Sequence, residues 1–161
     1  MFLLLPISSI HKTGLNAESL LTYEQVIKSA KSAKDLGSTR FCMGAAWKEV
    51  KNNKDFDNVI KMIKGVNELG LEVCSTLGMA TEEQITRMKN AGLHAYNHNI
   101  DTSKEYYSNI ISTHTHEDRM KTLKNIRNAG VTICSGGIIG MGETDQDRIC
   151  LLYTSDAADD V

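Results

Sequence analysis

Apolar and polar positions alternate between two periods along most of this chain. Stretches with apolar residues every three to four positions give way to short apolar runs, and the handover happens four times. The four junctions are Lys34-Asp35-Leu36-Gly37-Ser38-Thr39-Arg40-Phe41-Cys42, Asn67-Glu68-Leu69-Gly70-Leu71-Glu72-Val73-Cys74, Lys89-Asn90-Ala91-Gly92-Leu93-His94-Ala95-Tyr96-Asn97 and Arg127-Asn128-Ala129-Gly130-Val131-Thr132-Ile133-Cys134. Each glycine falls where a helix needs a left-handed terminating residue. Three of the helix starts carry a hydroxyl cap with a Gln or Asp three residues on: Thr22–Gln25, Thr81–Gln84 and, more weakly, Thr115–Asp118. Helices are therefore expected at about 23–36, 55–69, 82–90 and 116–128, with a short helical turn near 103–108. The only proline is Pro6, so nothing interrupts the alternation.

Alternating strands and helices imply an α/β fold with a parallel sheet. An open doubly wound sheet and a (β/α) barrel both fit, but a complete barrel takes about 250 residues. About four βα units in 161 residues make a small open sheet or a partial, open barrel of the TIM type. With 18 Lys+Arg against 20 Asp+Glu the net charge is −2, which gives no reason to expect nucleic acid or an anionic membrane as partner. No apolar run approaches the ~20 residues of a membrane helix, and the apolar start 1–6 lacks the basic lead of a secretion signal. A cytoplasmic protein is expected. In that compartment four cysteines suggest metal or redox chemistry more than disulfides.

Cys42, Cys74 and Cys134 each follow a terminating glycine by four or five residues, which puts them toward the C-terminal ends of their strands. Parallel strands gather those ends on one rim, where α/β active sites sit. Three thiols there suit an iron–sulfur cluster or zinc; the plain alternative is three inert buried cysteines. The Cys-free strand between them, Tyr96-Asn97-His98-Asn99-Ile100-Asp101, would place Asn97, Asn99 and Asp101 on one face, a costly burial unless a polar ligand such as a ribose satisfies it. An Asn/Asp-rich loop is the plain alternative. Arg40 shares a face with Cys42 and offers either positive charge beside a cluster or a structural ion pair. Gly136 and Gly137 open a glycine-rich stretch that permits close backbone approach to a ligand, or serves as a flexible connection. His114 and His116 are expected on a solvated helix start. Tyr106, Tyr107 and the seven methionines are expected in core packing.

Four segments also closely resemble signature stretches of the biotin synthase family, within the radical S-adenosylmethionine superfamily. They are Ser38-Thr39-Arg40-Phe41-Cys42-Met43-Gly44-Ala45-Ala46-Trp47-Lys48, Gly70-Leu71-Glu72-Val73-Cys74-Ser75-Thr76-Leu77-Gly78, Tyr96-Asn97-His98-Asn99-Ile100-Asp101-Thr102 and Cys134-Ser135-Gly136-Gly137-Ile138-Ile139-Gly140-Met141-Gly142-Glu143-Thr144. The resemblance runs in order from about residue 8 to 148. It implies a TIM barrel and a sulfurtransferase that inserts sulfur into dethiobiotin. In that family a [4Fe–4S] cluster cleaves S-adenosylmethionine to a 5′-deoxyadenosyl radical, and a [2Fe–2S] cluster donates the sulfur. Cys42, Cys74 and Cys134 match the thiolate ligands of the [2Fe–2S] cluster, whose fourth ligand is an Arg from a later strand. Asn99 and Asp101 match residues that hold the ribose of S-adenosylmethionine, Asn99 also lying near dethiobiotin, and Gly136 and Gly137 belong to the cosubstrate-binding stretch. The resemblance further implies an electron donor such as flavodoxin and a homodimeric parent enzyme. Another radical S-adenosylmethionine enzyme, or a non-catalytic three-cysteine metal-binding module, are the alternatives.

Two departures accompany the resemblance. The family's Cys-x3-Cys-x2-Cys motif for the [4Fe–4S] cluster would end at Leu5, and no Cys precedes Cys42. Residues 1–7 do not look like family sequence. Residues 150–161, from Cys150-Leu151-Leu152-Tyr153 onward, do not continue it either; their back-translation resembles a transposase-derived sequencing adapter, a match that the source nucleotides would decide. The expected organisation is 1–7 outside the family, 8–149 a partial barrel domain, and 150–161 a non-native tail in which Cys150 has no function. The chain is expected to be an internal fragment of such an enzyme, inactive by itself.

Overall fold

The computed structural model describes residues 2–4 and 19–159, with side-chain surroundings for 19–153. The expected N-terminal limit of the domain at residue 8 lies outside the described residues.

The expected alternation is present. Helices α1 (Tyr23–Asp35), α2 (Lys54–Glu68), α3 (Glu82–Asn90) and α5 (His116–Asn128) alternate with strands β2 (Arg40–Ala45), β3 (Glu72–Thr76), β4 (Leu93–Asn97) and β5 (Thr132–Cys134). A short α4 (Tyr107–Ile110) begins within the expected helical turn and runs two residues past it. Thr22, Thr81 and Thr115 all close complete capping boxes, the last with Asp118 as the return acceptor. Gly37, Gly70, Gly92 and Gly130 follow the four helices with φ of 87°, 79°, 103° and 65°, values that cost a side chain dearly and glycine little. Basic residues near the helix ends also reach across: Lys34 donates to the Leu69 carbonyl at 2.6 Å and Lys89 to the Ala129 carbonyl at 2.8 Å. Each cation thereby satisfies an orphan carbonyl at the end of another helix.

Two elements were not anticipated. β1 (Phe2–Leu4) pairs in parallel with Met43–Ala45 of β2, making the sheet five-stranded in the order β1-β2-β3-β4-β5. α6 (Asp145–Asp159) starts behind Thr144, whose hydroxyl accepts from the Asp147 N–H at 3.2 Å while Asp147 accepts from the Thr144 N–H at 2.9 Å. It runs across the expected boundary at 149/150, and Leu151 is buried in the core.

The sheet is open, with every described pairing parallel and successive strands adjacent. Its helix-covered side holds the core. Phe56, Val59, Met62, Ile63 and Val66 of α2 are 2% exposed or less, each contributing about 1.5–3 kcal/mol by burial. The opposite side carries Arg40, Cys42, Glu72 and Cys74, and there the candidate site lies.

Candidate functional site in the concave face of the sheet

Strand register brings the site together. Cys42 is the cross-strand partner of Cys74, and Asn97 that of Cys134. Residues in register across a parallel pair face the same side, so all three thiols open onto one face. They line a cavity of about 800 Å³ together with Arg40, Asn97 and Asn99. Cys42 and Cys74 sit in mid-strand rather than at strand ends; only Cys134 ends its strand. The cavity thus reaches into the mouth of the sheet instead of lying on its rim.

The three thiols differ in setting: Cys74 is buried, Cys42 partly so and Cys134 exposed. Burial first, then the neighbouring Cys42 and Cys134, pushes the Cys74 thiol up to about 12. Such a thiol ionises when a metal replaces its proton. Asn97 donates its amide N–H to Cys134 Sγ at 3.5 Å. Among the described residues no three His, Cys, Asp or Glu side chains are grouped to hold a metal ion. A two-iron, two-sulfide cluster is larger than one ion and is held by thiolates without their closing on a common centre; the all-thiol donor set and shared cavity fit such a group.

Arg40 is committed to Glu72, donating through Nε at 3.0 Å and Nη2 at 2.8 Å. The pair lies below Cys42 and Cys74 on the same face, with His94 Nε2 3.8 Å from the second Glu72 oxygen. Glu72 foremost, and the two thiols after it, hold the Arg40 guanidinium in its charged form. Both expected roles, ion-pair donor and positive charge near the cysteines, meet in one side chain.

Beyond β4 the expected alternation holds for Asn97 and Asn99 and fails at Asp101. The chain stays beside the last strand, with the His98 N–H on the Cys134 carbonyl at 2.9 Å and the Ile100 N–H on the Gly136 carbonyl at 3.0 Å. Asp101 then turns left-handed, with φ of 70°. Its carboxylate does not join the lining of the cysteine cavity. It accepts instead from Arg119 Nη2 at 3.0 Å, in a pair whose side chains are 18% and 13% exposed. Arg119 Nε is in turn bonded to Tyr107 Oη at 3.2 Å. The shared face of Asn97, Asn99 and Asp101 is therefore corrected to two residues, because period-2 alternation ends where the backbone leaves the extended region.

The glycine pair also divides. A Cβ on Gly136 would meet only Asn99 Oδ1 at 3.9 Å, so its Cβ side is open. A Cβ on Gly137 would run into the Leu151 side chain, so that glycine makes room for α6. The following turn is latched by Glu143, which accepts from the Gly140 and Met141 N–H groups at 2.7 Å each and from Arg148 Nε at 2.9 Å. These bonds, Gly140 foremost, hold the Glu143 carboxyl down at about 2.

The expected solvated setting of His114 and His116 is corrected, whereas Tyr107 packs in the core as expected. Tyr107 is 3% exposed, and the rings of His114 and His116 meet it edge-on at 6.1 Å and 5.5 Å. His116 is buried and its Nε2, like those of His114 and His98, has no hydrogen-bond partner. His114 precedes the cap, so helix-face periodicity does not separate it from His116, and α4 covers both. Tyr106 Oη donates to the Met141 carbonyl at 3.0 Å. The two tyrosines therefore hold polar contacts as well as packing. His98 is 2% exposed, and burial foremost, with Arg119 and His114 after it, pushes it down to about 3.

Comparison with known proteins agrees with this architecture. The family model described as the radical SAM superfamily matches residues 8–152. A biotin synthase of Cytophaga hutchinsonii is 56% identical over 149 residues, covering 92% of this chain and 44% of that protein. One from Shigella boydii serotype 18 is 56% identical over 91% of this chain and 42% of its own length, and the mitochondrial biotin synthase of Arabidopsis thaliana 51% over 92% and 40%. The chain thus spans less than half of these relatives. Among solved structures, methylornithine synthase superposes with a TM-score of 0.73 at 16% identity, covering 90% of this chain and 43% of that one. HydG, a maturase of the [FeFe]-hydrogenase, reaches 0.76 at 18%, covering 93% and 35%. These two share the fold alone. With the family model matching most of its length, the chain belongs to the radical SAM superfamily.

Proposed function

We propose that this chain is part of a biotin synthase, an enzyme that inserts sulfur into dethiobiotin by S-adenosylmethionine radical chemistry. The observation that carries the reading is the gathering of Cys42, Cys74 and Cys134 with Asn97 and Asn99 on one cavity, in a chain about half identical to biotin synthases from several organisms. Cys42, Cys74 and Cys134 would hold the [2Fe–2S] cluster, whose chemistry when bound is sulfur donation. Cys74 would supply a buried thiolate to it and Cys134 an exposed one. The Arg40–Glu72 pair keeps positive charge beneath the thiolates. Asn99 presents its amide to the cosubstrate ribose and to dethiobiotin, and the open Cβ side of Gly136 leaves the ligand room beside it. Asp101 accepts from a ribose hydroxyl while Arg119 holds its other oxygen. Gly137 belongs to the same cosubstrate-binding stretch in this reading.

A [4Fe–4S] cluster belongs to the same reading, and its three-cysteine motif is not among these 161 residues. The whole enzyme is cytoplasmic and homodimeric and draws electrons from a donor such as flavodoxin. No helix among the described residues is long and apolar enough to cross a membrane.

Two variants of a full-length protein carrying this segment test the reading. Cys74→Ala abolishes biotin formation and the normal [2Fe–2S] spectrum while S-adenosylmethionine still binds. Asp101→Asn keeps that spectrum and weakens S-adenosylmethionine binding by about 1.5–3 kcal/mol, the range for a hydrogen bond to a charged group. A normal [2Fe–2S] cluster in Cys74→Ala, or unchanged cosubstrate affinity in Asp101→Asn, refutes the corresponding assignment.

A further inference from the structure

We infer that Tyr107 is a positioning residue for the cosubstrate site, acting through Arg119 on the carboxylate of Asp101. The inference rests on the proposed role of Asp101 and extends it to a side chain outside the cysteine cavity.

Asp101 stands alone among non-glycine described residues in adopting a positive φ, so its backbone is held there by its surroundings. Its N–H bonds the Gly136 carbonyl at 3.2 Å, and its carbonyl accepts from the Ile138 N–H at 2.8 Å. The main chain is thereby fixed, but the carboxylate is fixed by Arg119. A guanidinium is a planar fork on a long, flexible stem and aims accurately only when more than one of its N–H groups is engaged. Here Nη2 faces Asp101 and Nε faces the Tyr107 hydroxyl. Tyr107 cannot swing away, because it is 3% exposed and its ring packs in T-shaped contact with both His114 and His116. The chain of restraint therefore runs from a buried ring to an arginine and then to a carboxylate. Without the hydroxyl, Arg119 keeps one anchor and the Asp101 oxygen left for a ligand hydroxyl loses its fixed direction. Ordering that direction beforehand is where affinity is gained.

The test uses a full-length protein carrying this segment, with S-adenosylmethionine as the probe in equilibrium dialysis. Tyr107→Phe keeps the ring against the two histidines and removes only the hydroxyl. It is expected to raise the dissociation constant about 3- to 10-fold and the cosubstrate KM in parallel, with the iron–sulfur absorption retained. Arg119→Lys keeps the charge but not the fork and is expected to do the same. In Tyr107→Phe/Asp101→Asn the dissociation constant is expected to match that of Asp101→Asn alone, because both changes break one chain. Full additivity, or a dissociation constant within about twofold of wild type in Tyr107→Phe while Asp101→Asn is weakened, overturns the inference and leaves the role of Asp101 standing. Unchanged affinity in Asp101→Asn overturns both.

Discussion

Asp101 joins two demands on one residue. Its left-handed backbone favours Gly, Asn or Asp, whose short polar side chains tolerate that region, and its carboxylate neutralises a largely buried guanidinium. The two demands separate by substitution. Asp101→Asn keeps a residue suited to φ of 70° and loses the charge, so unfolding of a full-length protein carrying the segment is expected to become about 1.5–3 kcal/mol easier. Asp101→Ala adds the left-handed strain, for about 1–2 kcal/mol more. Denaturant midpoints at constant slope measure both. Equal midpoints for the two variants would mean that the backbone is not strained there. Removing the carboxylate also leaves Arg119 with Tyr107 Oη and no counter-charge, which is why the cost falls on stability as well as on ligand binding.

Among the elements, the helices and their ends were legible because their signals are local. Thr22, Thr81 and Thr115 cap, and Gly37, Gly70, Gly92 and Gly130 terminate, through neighbours within a few residues. The cysteine face was legible too, since each cysteine follows its terminating glycine by four or five residues on a parallel strand. What failed was non-local. β1 has only three residues and is specified by the edge of β2. Asp101 leaves the Asn face because Arg119, eighteen residues on, claims its carboxylate. Tyr107, His114 and His116 meet only through the placement of α4 over α5. For α6 a signal existed: Thr144-Asp145-Gln146-Asp147 has the same hydroxyl and Asp spacing as Thr115-His116-Glu117-Asp118. The turn before α6 makes its own prediction. Glu143 has its carboxyl depressed from 4.5 to about 2, so its stabilisation is complete above 4.5 and lost as pH falls toward 2. Amide exchange at Gly140 and Met141, corrected for its intrinsic pH dependence, is expected to accelerate through that window. In Glu143→Gln it is expected to be fast already at neutral pH. Protection that persists in Glu143→Gln would show that the latch is not ionic.

At the scale of the molecule, the sheet has one face packed on helices and one bearing charges, thiols and amides. A parallel sheet is normally covered on both faces, and a (β/α) barrel covers the inner one by closing on itself. Here β1 and β5 are the edges, three residues each, and the concave face between them is open. Leu36, Ile138 and Ile139 are exposed to 85%, 51% and 68%, and unpaired edges and apolar surface together promote association. The 161-residue polypeptide alone is therefore expected to self-associate, as read by sedimentation. Co-expression with the complementary C-terminal part of a biotin synthase barrel is expected to yield a soluble one-to-one complex, because the added strands pair the edges and cover the concave face. A cooperative thermal transition should appear only in that complex, since only there are the sheet edges paired and the concave face covered. A monomeric isolated chain with a sharp transition of its own would instead mean that the open sheet is a self-sufficient fold, and that the polar concave face is paid for by water rather than by a missing half.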